Sequence, residues 1–353
     1  MASKSTVDYA NDVLGDMGAK YFFDQNRFRA DFTKDVDAVG YMQYAVIDWY
    51  GAGATRYPIP GHSGLMNKMR EAFEAKGGKI FLSEGVVSID SAADGTFTVK
   101  TAAHDVKAAQ VVVATEHGAL KKIAGDVLTT VTGAKEYANI TAAKSMQVTH
   151  KWNKAWWKQD LRYPDGSKVL GDPLAADAAP ILRADTTIMP GGSCINSIEM
   201  PYTDHHDALM VTRTAYTDRA ACVEKNQELY GAGGAAGEAK LNEQLLASLR
   251  ILFPAVFDSS SNEPQIVKTD VNVHPEAWYY LKTGATAAGV THKSLFDWSA
   301  QPVSGKKLYL VGDAWYPLGS GWSNAAYVSS IRVLNMHFGM KLDPHELAPV
   351  TCN

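Results

Sequence analysis

The sequence predicts an α/β fold of mixed α+β character, in which two strand-and-helix units flank a longer, less regular insertion. Three observations carry this. Leu65, Met69 and Phe73 recur at i, i+4 and i+8, marking an amphipathic helix over Leu65 to Ala75 that Gly77 and Gly78 stop. Ala109 to Ala114, centred on Val111, Val112 and Val113, is apolar at successive positions, the pattern of a strand covered on both faces of its sheet. Lys307 to Val311 is a second apolar strand. Gly312 and Asp313 end it, Trp315 to Gly321 form a loop, and a helix capped by Ser323 or Asn324 runs to about Phe338.

The remaining elements follow in order. Val7, Ala10, Val13 and Leu14 share helical spacing, and Met42, Ala45, Val46 and Trp49 do so again, so residues 7–50 read as helices with short interruptions. Gly and Pro then break the pattern over 51–64 and predict a loop. Lys79 to Leu82 and Val86 to Ile89 read as strands, and Asp94-Gly95 as a turn before Phe97 and Val99, which alternate with polar residues. From His117 to Gln301 the rhythm weakens. Lys144 to Trp152 and Ala208 to Thr214 have strand content, and Ala239 to Phe253 is a helix with Leu241, Leu245, Leu246 and Leu249 on one side. Tyr230 to Gly237, rich in Gly and Ala, reads as a mobile loop or a weak linker. Small residues Ala325, Ala326, Ser329 and Ser330 near the last helix start let its backbone approach whatever sits above it.

Composition bounds the function. A chain of 353 residues, 46% hydrophobic with 8 Trp and 16 Tyr, builds two associated domains or one with an insertion. The formal charge is −4 and the basic residues are scattered, which argues against nucleic-acid binding. No apolar run approaches the roughly 18 residues of a spanning helix. Cys194, Cys222 and Cys352 are odd in number and far apart, so neither a disulfide framework nor a metal-binding motif is expected. The polar opening residues lack the apolar stretch of a signal peptide, and the expected location is cytoplasmic or an organellar interior. The Asn139-Ile140-Thr141 sequon is then incidental. Asp204-His205-His206-Asp207 lacks a third spaced ligand and reads as a polar loop, and His62, His117, His150 and His274 have no spacing that singles out an acid or base.

The string Leu308-Tyr309-Leu310-Val311-Gly312-Asp313, followed after an interval by Gly321-Trp322-Ser323-Asn324-Ala325-Ala326-Tyr327-Val328-Ser329-Ser330, resembles the C-terminal motif of the flavin-containing amine oxidoreductases. The stretch from Gly64-Leu65 through Val86 to Val113-Ala114 resembles that family's mid-chain return to its FAD domain. Lys151-Trp152-Asn153-Lys154-Ala155-Trp156-Trp157 is similar to its substrate-domain strand ending in an aromatic-Trp pair. The resemblance implies a partial FAD-binding Rossmann-like domain with an inserted mixed-sheet and helical substrate domain. Its parts are a helical segment of the substrate domain at 1–61, FAD-domain segments at 62–116 and 304–340, the substrate domain at 117–303 and a tail at 341–353.

The same resemblance implies an FAD cofactor and the oxidation of a small-molecule amine or amino acid by hydride transfer to the flavin. It places Val86 at the adenine end, Asp313 on the ribityl or pyrophosphate part, and Gly312, Gly321, Trp322, Asn324 and Ala325 around the turn and the first helical residues that approach the flavin. Tyr316 and Trp322 are candidate pocket walls with catalytic contact, and Lys144 is the candidate for the lysine that several members hold near the flavin. By strand alignment that lysine's place falls at Gln147 instead. Trp315, Trp278, Tyr279 and Tyr280 are further aromatics that would line a pocket or pack a core. The sequence departs from the family in two ways. Asn324-Ala325 stand where an acidic residue and Gly are common, and no strand–GxGxxG–helix fingerprint is present. Gly51-Ala52-Gly53-Ala54-Thr55 and Gly231 to Gly237 lack the required context. Two alternatives stay open: a missing N-terminal segment or second chain completes the FAD domain, or the chain is a non-catalytic binding or structural derivative of the fold with lost or altered flavin binding.

Overall fold

The computed structural model describes residues 3–25, 33–50, 61–156, 162, 164–167, 194–195, 197–199, 211–217, 219–231, 233–258, 262–316 and 323–343. In chain order the helices are α1 (Thr6–Gln25), α2 (Ala38–Tyr50), α3 (Gly61–Ala75), α4 (His117–Leu120), α5 (Asp126–Thr132), α6 (Lys135–Ala138), α7 (Ala220–Tyr230), α8 (Gly234–Leu252), α9 (His292–Ser299) and α10 (Ser323–His337). The strands are β1 (Val86–Ser91), β2 (Phe97–Thr101), β3 (Asp105–Ala108), β4 (Val111–Val113), β5 (Ile140–Trp152), β6 (Ser197–Glu199), β7 (Val211–Thr217), β8 (Ile266–Leu281) and β9 (Leu308–Leu310). They fall into two compact units, one of 1–4, 35–141 and 279–353, the other of 5–34 and 142–278. The first unit takes in 35–61, 117–141 and 279–303 as well, which the family resemblance implies for the substrate domain.

In the first unit β1, β2 and β3 form an antiparallel sheet, with Ile89 opposite Val99 and Phe97 opposite Ala108. The β1–β2 turn is fixed by Asp94, whose carboxylate accepts from the Thr96 amide at 3.0 Å and the Thr96 hydroxyl at 2.6 Å. β4 and β9 pair in parallel, Val111 with Leu308 and Val113 with Leu310. Two expectations are corrected here. Lys79 to Leu82 is not a strand, because a strand exists only by pairing and no described strand lies beside it; Ile80, Phe81 and Leu82 are exposed. Val112 is 43% exposed although Val113 and all of β9 are buried, so β4 is covered on one face only among the described residues. The helix over Leu65 to Ala75 is present as part of α3, and its apolar stripe, Leu65, Met69 and Phe73, is also exposed.

The second unit holds a four-stranded sheet in the order β6-β7-β5-β8. Its core joins Met146, Val148 and Trp152 of β5 to Trp156, Ile195, Ile198 and Val223, and to Leu241, Leu245 and Leu249 on one stripe of α8. Trp156 meets Phe257 edge to face at 5.0 Å. Burying each such side chain stabilises by about 1.5–3 kcal/mol before chain entropy is charged against it. At the rim of this core Arg250 grips Glu263 through Nε and Nη2 of its guanidinium, at 2.9 and 3.1 Å.

Two further expectations fail in this unit. Tyr230 to Gly237 is not a linker. α7 ends at Tyr230, α8 begins at Gly234, and the corner is so tight that a Cβ on Gly237 would lie 2.2 Å from the Tyr230 carbonyl oxygen. Glycine enrichment here therefore reflects close backbone approach. Cys194 and Cys222 are joined in a disulfide, which spacing along the chain could not reveal because it depends on the segment before β6 lying against α7. Their neighbours Ile195 and Val223 both sit in the core, and Asn226 donates to the Cys194 carbonyl at 3.1 Å, so the crosslink joins segments already held together. Asn139, the sequon residue, is also engaged: its side-chain amide donates to the Lys135 carbonyl at 2.8 Å, at the end of α6.

Candidate functional site

The turn that follows β9 is locked from both sides. Gly312 has φ 141° and ψ 172°, a backbone region open in practice to glycine alone. Its amide donates to the Ser329 hydroxyl at 2.9 Å. The single hydroxyl proton of Ser329 is shared between the carbonyls of Gly312, at 3.1 Å, and Ala326, at 2.9 Å. Ser329 lies two turns into α10, so the helix holds the strand end directly. Ala326, Ser329 and Ser330 are small because this contact needs helix and turn close together. Substituting Gly312 by alanine forces a Cβ onto that backbone and is expected to cost about 1–3 kcal/mol. Chemical denaturation measures the loss, and an unchanged midpoint with unchanged slope would show that the turn relaxes freely.

Asp313, Ala314 and Trp315 form one turn of 3₁₀ helix after Gly312. Trp315 is completely buried, with ring centroids of His117, Tyr137 and Trp298 at 6.0, 6.2 and 5.9 Å. His117 and Tyr137 stack at 4.0 Å and bond reciprocally: the Tyr137 hydroxyl donates to the His117 carbonyl at 2.6 Å, and His117 Nε2 meets the Tyr137 carbonyl at 3.1 Å. The latter contact requires the proton on Nε2, because a carbonyl only accepts. Trp315 Nε1 is buried and has no partner among the described residues, an unusual state for an indole donor. Tyr316, half-buried, packs on Phe296 of α9 at 4.9 Å.

The structure thus brings together Gly312, Asp313, Trp315 and Tyr316 with the start of α10, where Asn324 is exposed and Ala325 fully buried. Gly321 and Trp322 lie outside the described residues, as does Asp204 to Asp207. Val86 opens β1, half-buried, in the first unit. Lys144 belongs to the second unit. It is exposed on β5 and its ammonium pairs with Glu224 of α7 at 3.1 Å. A bulge between Met146 and Val148 interrupts the alternation that would relate Lys144 to half-buried Gln147. Tyr279 and Tyr280 are buried core residues, and Tyr279 reaches the His117 ring at 6.1 Å. Sequence reasoning missed Ser329 as a hydrogen-bonding latch, although its small size marked it. It had no means of finding His117, Tyr137 and Trp298, which reach Trp315 from distant parts of the chain.

A parallel strand pair running into a glycine turn, an acidic residue and a small-residue helix start defines a dinucleotide-domain corner. Comparison with protein families gives a match to the flavin containing amine oxidoreductase family over residues 48–333, and the chain belongs to that family. Among solved structures it is similar to a variant of putrescine oxidase redesigned at its cofactor site, at 12% identity and TM-score 0.61, over 96% of this chain and 68% of that one. It is similar also to cyclohexylamine oxidase from Brevibacterium oxydans, at 10% identity and TM-score 0.57, over 94% and 68%. The CLA-producing fatty acid isomerase from P. acnes matches at 11% and 0.54, over 95% and 67%. At such identities the likeness shows the amine oxidase fold alone. The chain spans about half to two thirds of the solved proteins it resembles, from 51% to 68% of their length. No curated protein sequence matches it. Among the described residues no helix is long and apolar enough to cross a membrane.

Proposed function

We propose that this chain forms the larger part of an FAD-dependent amine oxidoreductase, with the corner between β9 and α10 facing the flavin. The observation that carries the reading is the Gly312 turn. Its glycine-only backbone and its Ser329 latch hold Asp313 at the end of a buried parallel strand. The residues present suit such a group. Buried Trp315 Nε1 is a donor with no partner among the described residues, Asp313 carries a carboxylate of the kind that accepts from ribityl hydroxyls, and the first residues of α10 are small. Val86 would serve the adenine end through its backbone.

The chemistry a flavin supplies when bound is acceptance of a hydride from the carbon beside an amine. The chain's own share is electrostatics and positioning. The amide-rich start of α10 favours negative character near it, within the first turn. Tyr316 and Trp322 would contact the substrate, a small amine or amino acid, whose neutral form an aromatic wall favours by disfavouring charge. A segment beyond the matched two thirds, upstream in the same polypeptide or on a second chain, would cover Val112 and complete the parallel sheet.

One observation favours the second reading, a non-catalytic derivative of the fold. Ala325 is completely buried at a position where flavin approach calls for bare backbone. A visible spectrum of the purified protein separates the two, together with FAD analysis of the supernatant after denaturation. The oxidoreductase reading expects the two flavin absorption bands, bleached by an amine without oxygen. Colourless protein that takes up no added FAD supports the derivative.

A further inference from the structure

The Asp313 turn is held by a clamp that the chemistry so far has not used. α9 touches it at two points, Trp298 against Trp315 at 5.9 Å and Phe296 against Tyr316 at 4.9 Å. α9 is itself firmly started. Thr291 caps it by accepting from the Ser294 amide at 3.1 Å, and Ser294 answers by accepting from the Thr291 amide at 2.8 Å. Arg332 of α10 also meets Phe296, its guanidinium 4.2 Å from the ring centroid. Arg332 is held in that position by Asp297, one residue beyond Phe296, at 2.5 Å, and its Nε reaches Met336 Sδ at 3.4 Å. Lys293 bonds the same Asp297 carboxylate one turn earlier, and these two cations, Lys293 first, keep that carboxyl below its ordinary range.

We propose that Arg332 and Phe296 are positioning residues for the flavin-facing turn: Arg332 presses the Phe296 ring against Tyr316 and so fixes the path of residues 312–316. The inference rests on the flavin reading for its purpose, though not for its geometry. Gly312 is tied to α10 through Ser329, Trp315 to α9 through Trp298, and Tyr316 to both helices through Phe296 and Arg332. Asp313 therefore sits between anchors on either side. Arginine suits this task better than lysine, because a planar guanidinium stacks on a ring while bonding a carboxylate at its edge.

The test is a double-mutant cycle of Phe296→Leu, Arg332→Leu and the pair. Phe296→Leu leaves the Arg332–Asp297 bond intact, which guards against a fold lost through the ion pair alone. Lys293→Ala, which removes a cation from Asp297 without touching the ring, is the control. In the protein without added cofactor, hydrogen exchange of the Trp315 and Tyr316 amides is expected to quicken about three- to tenfold in either single variant, and no more in the double variant, since both act through one ring. With FAD titrated into the same proteins, the dissociation constant is expected to rise about three- to tenfold, with the same failure of additivity. Exchange rates that match wild type, or effects that simply add, overturn the clamp. A wild type that binds no FAD overturns the function proposed above, while the exchange measurements still decide the clamp.

Discussion

Replacing Trp315 by alanine is expected to destabilise the first unit by about 3–5 kcal/mol, the usual cost of emptying a fully buried Trp site, and to abolish flavin retention. The residue is 0% exposed and its ring meets His117, Tyr137 and Trp298, so the space left has no flexible wall to collapse into. His117 and Tyr137 are held to each other by two hydrogen bonds and a stack, and α9 is capped; neither side yields cheaply. Trp315→Phe isolates the polar part of the role. Because the indole Nε1 meets no partner among the described residues, its removal orphans no described group, and the stability loss comes from the smaller ring, expected at about 1–3 kcal/mol and below that of Trp315→Ala. If FAD affinity nonetheless falls tenfold in Trp315→Phe, the N–H is kept for the cofactor. Guanidinium denaturation and FAD titration of both variants supply the numbers, and a Trp315→Ala protein with wild-type stability contradicts the packing.

What could be read from the sequence follows from where the information lies. Periodicity located α3 and α8 because each carries its own apolar stripe, the cap at Ser323 or Asn324 located α10, and the apolar run at Val111 to Val113 announced a strand, though not that Val112 would stay exposed. Pairing is not local, so the sequence overstated Lys79 to Leu82, which has strand content and no described neighbour to bond. It also read the glycines at 231–237 as looseness, when Gly237 marks a place where α8 presses on the Tyr230 carbonyl. At the candidate site Gly312 and Asp313 could be named from their order after β9, since turn chemistry is written in neighbouring residues. The clamp of Phe296, Trp298 and Arg332 could not, because ring contacts between α9, α10 and the turn leave no trace in spacing. Cys194 and Cys222 belong to the same class: their pairing depends on three-dimensional proximity that 28 residues of separation conceal.

The second unit is expected to lose stability as pH falls from about 6.5 towards 4, through His150. This residue of β5 is completely buried, and burial lowers its pKa from 6.5 to about 4, against a smaller opposing effect of its bond to Asn242. Asn242 of α8 presents Oδ1 to His150 Nε2 at 3.0 Å and to the Thr269 hydroxyl of β8 at 2.8 Å. Both neighbours must therefore donate, and the imidazole is neutral with its proton on Nε2. Above about pH 6.5 the folded and unfolded chains both carry a neutral ring, and the contribution is fully present. Below it the unfolded chain takes up a proton that the folded chain refuses until about pH 4, so unfolding becomes progressively easier, by about 3 kcal/mol across the interval. Below about pH 4 both states are protonated and the slope from this residue ends. His292 in the first unit is also lowered by burial, so the wild-type acid limb alone does not isolate His150. The difference between wild type and His150→Gln does. The variant is expected to be less stable at pH 7, with a shallower decline between pH 7 and 4.5 in guanidinium denaturation, and two parallel declines would mean that the unfolded and folded rings titrate alike.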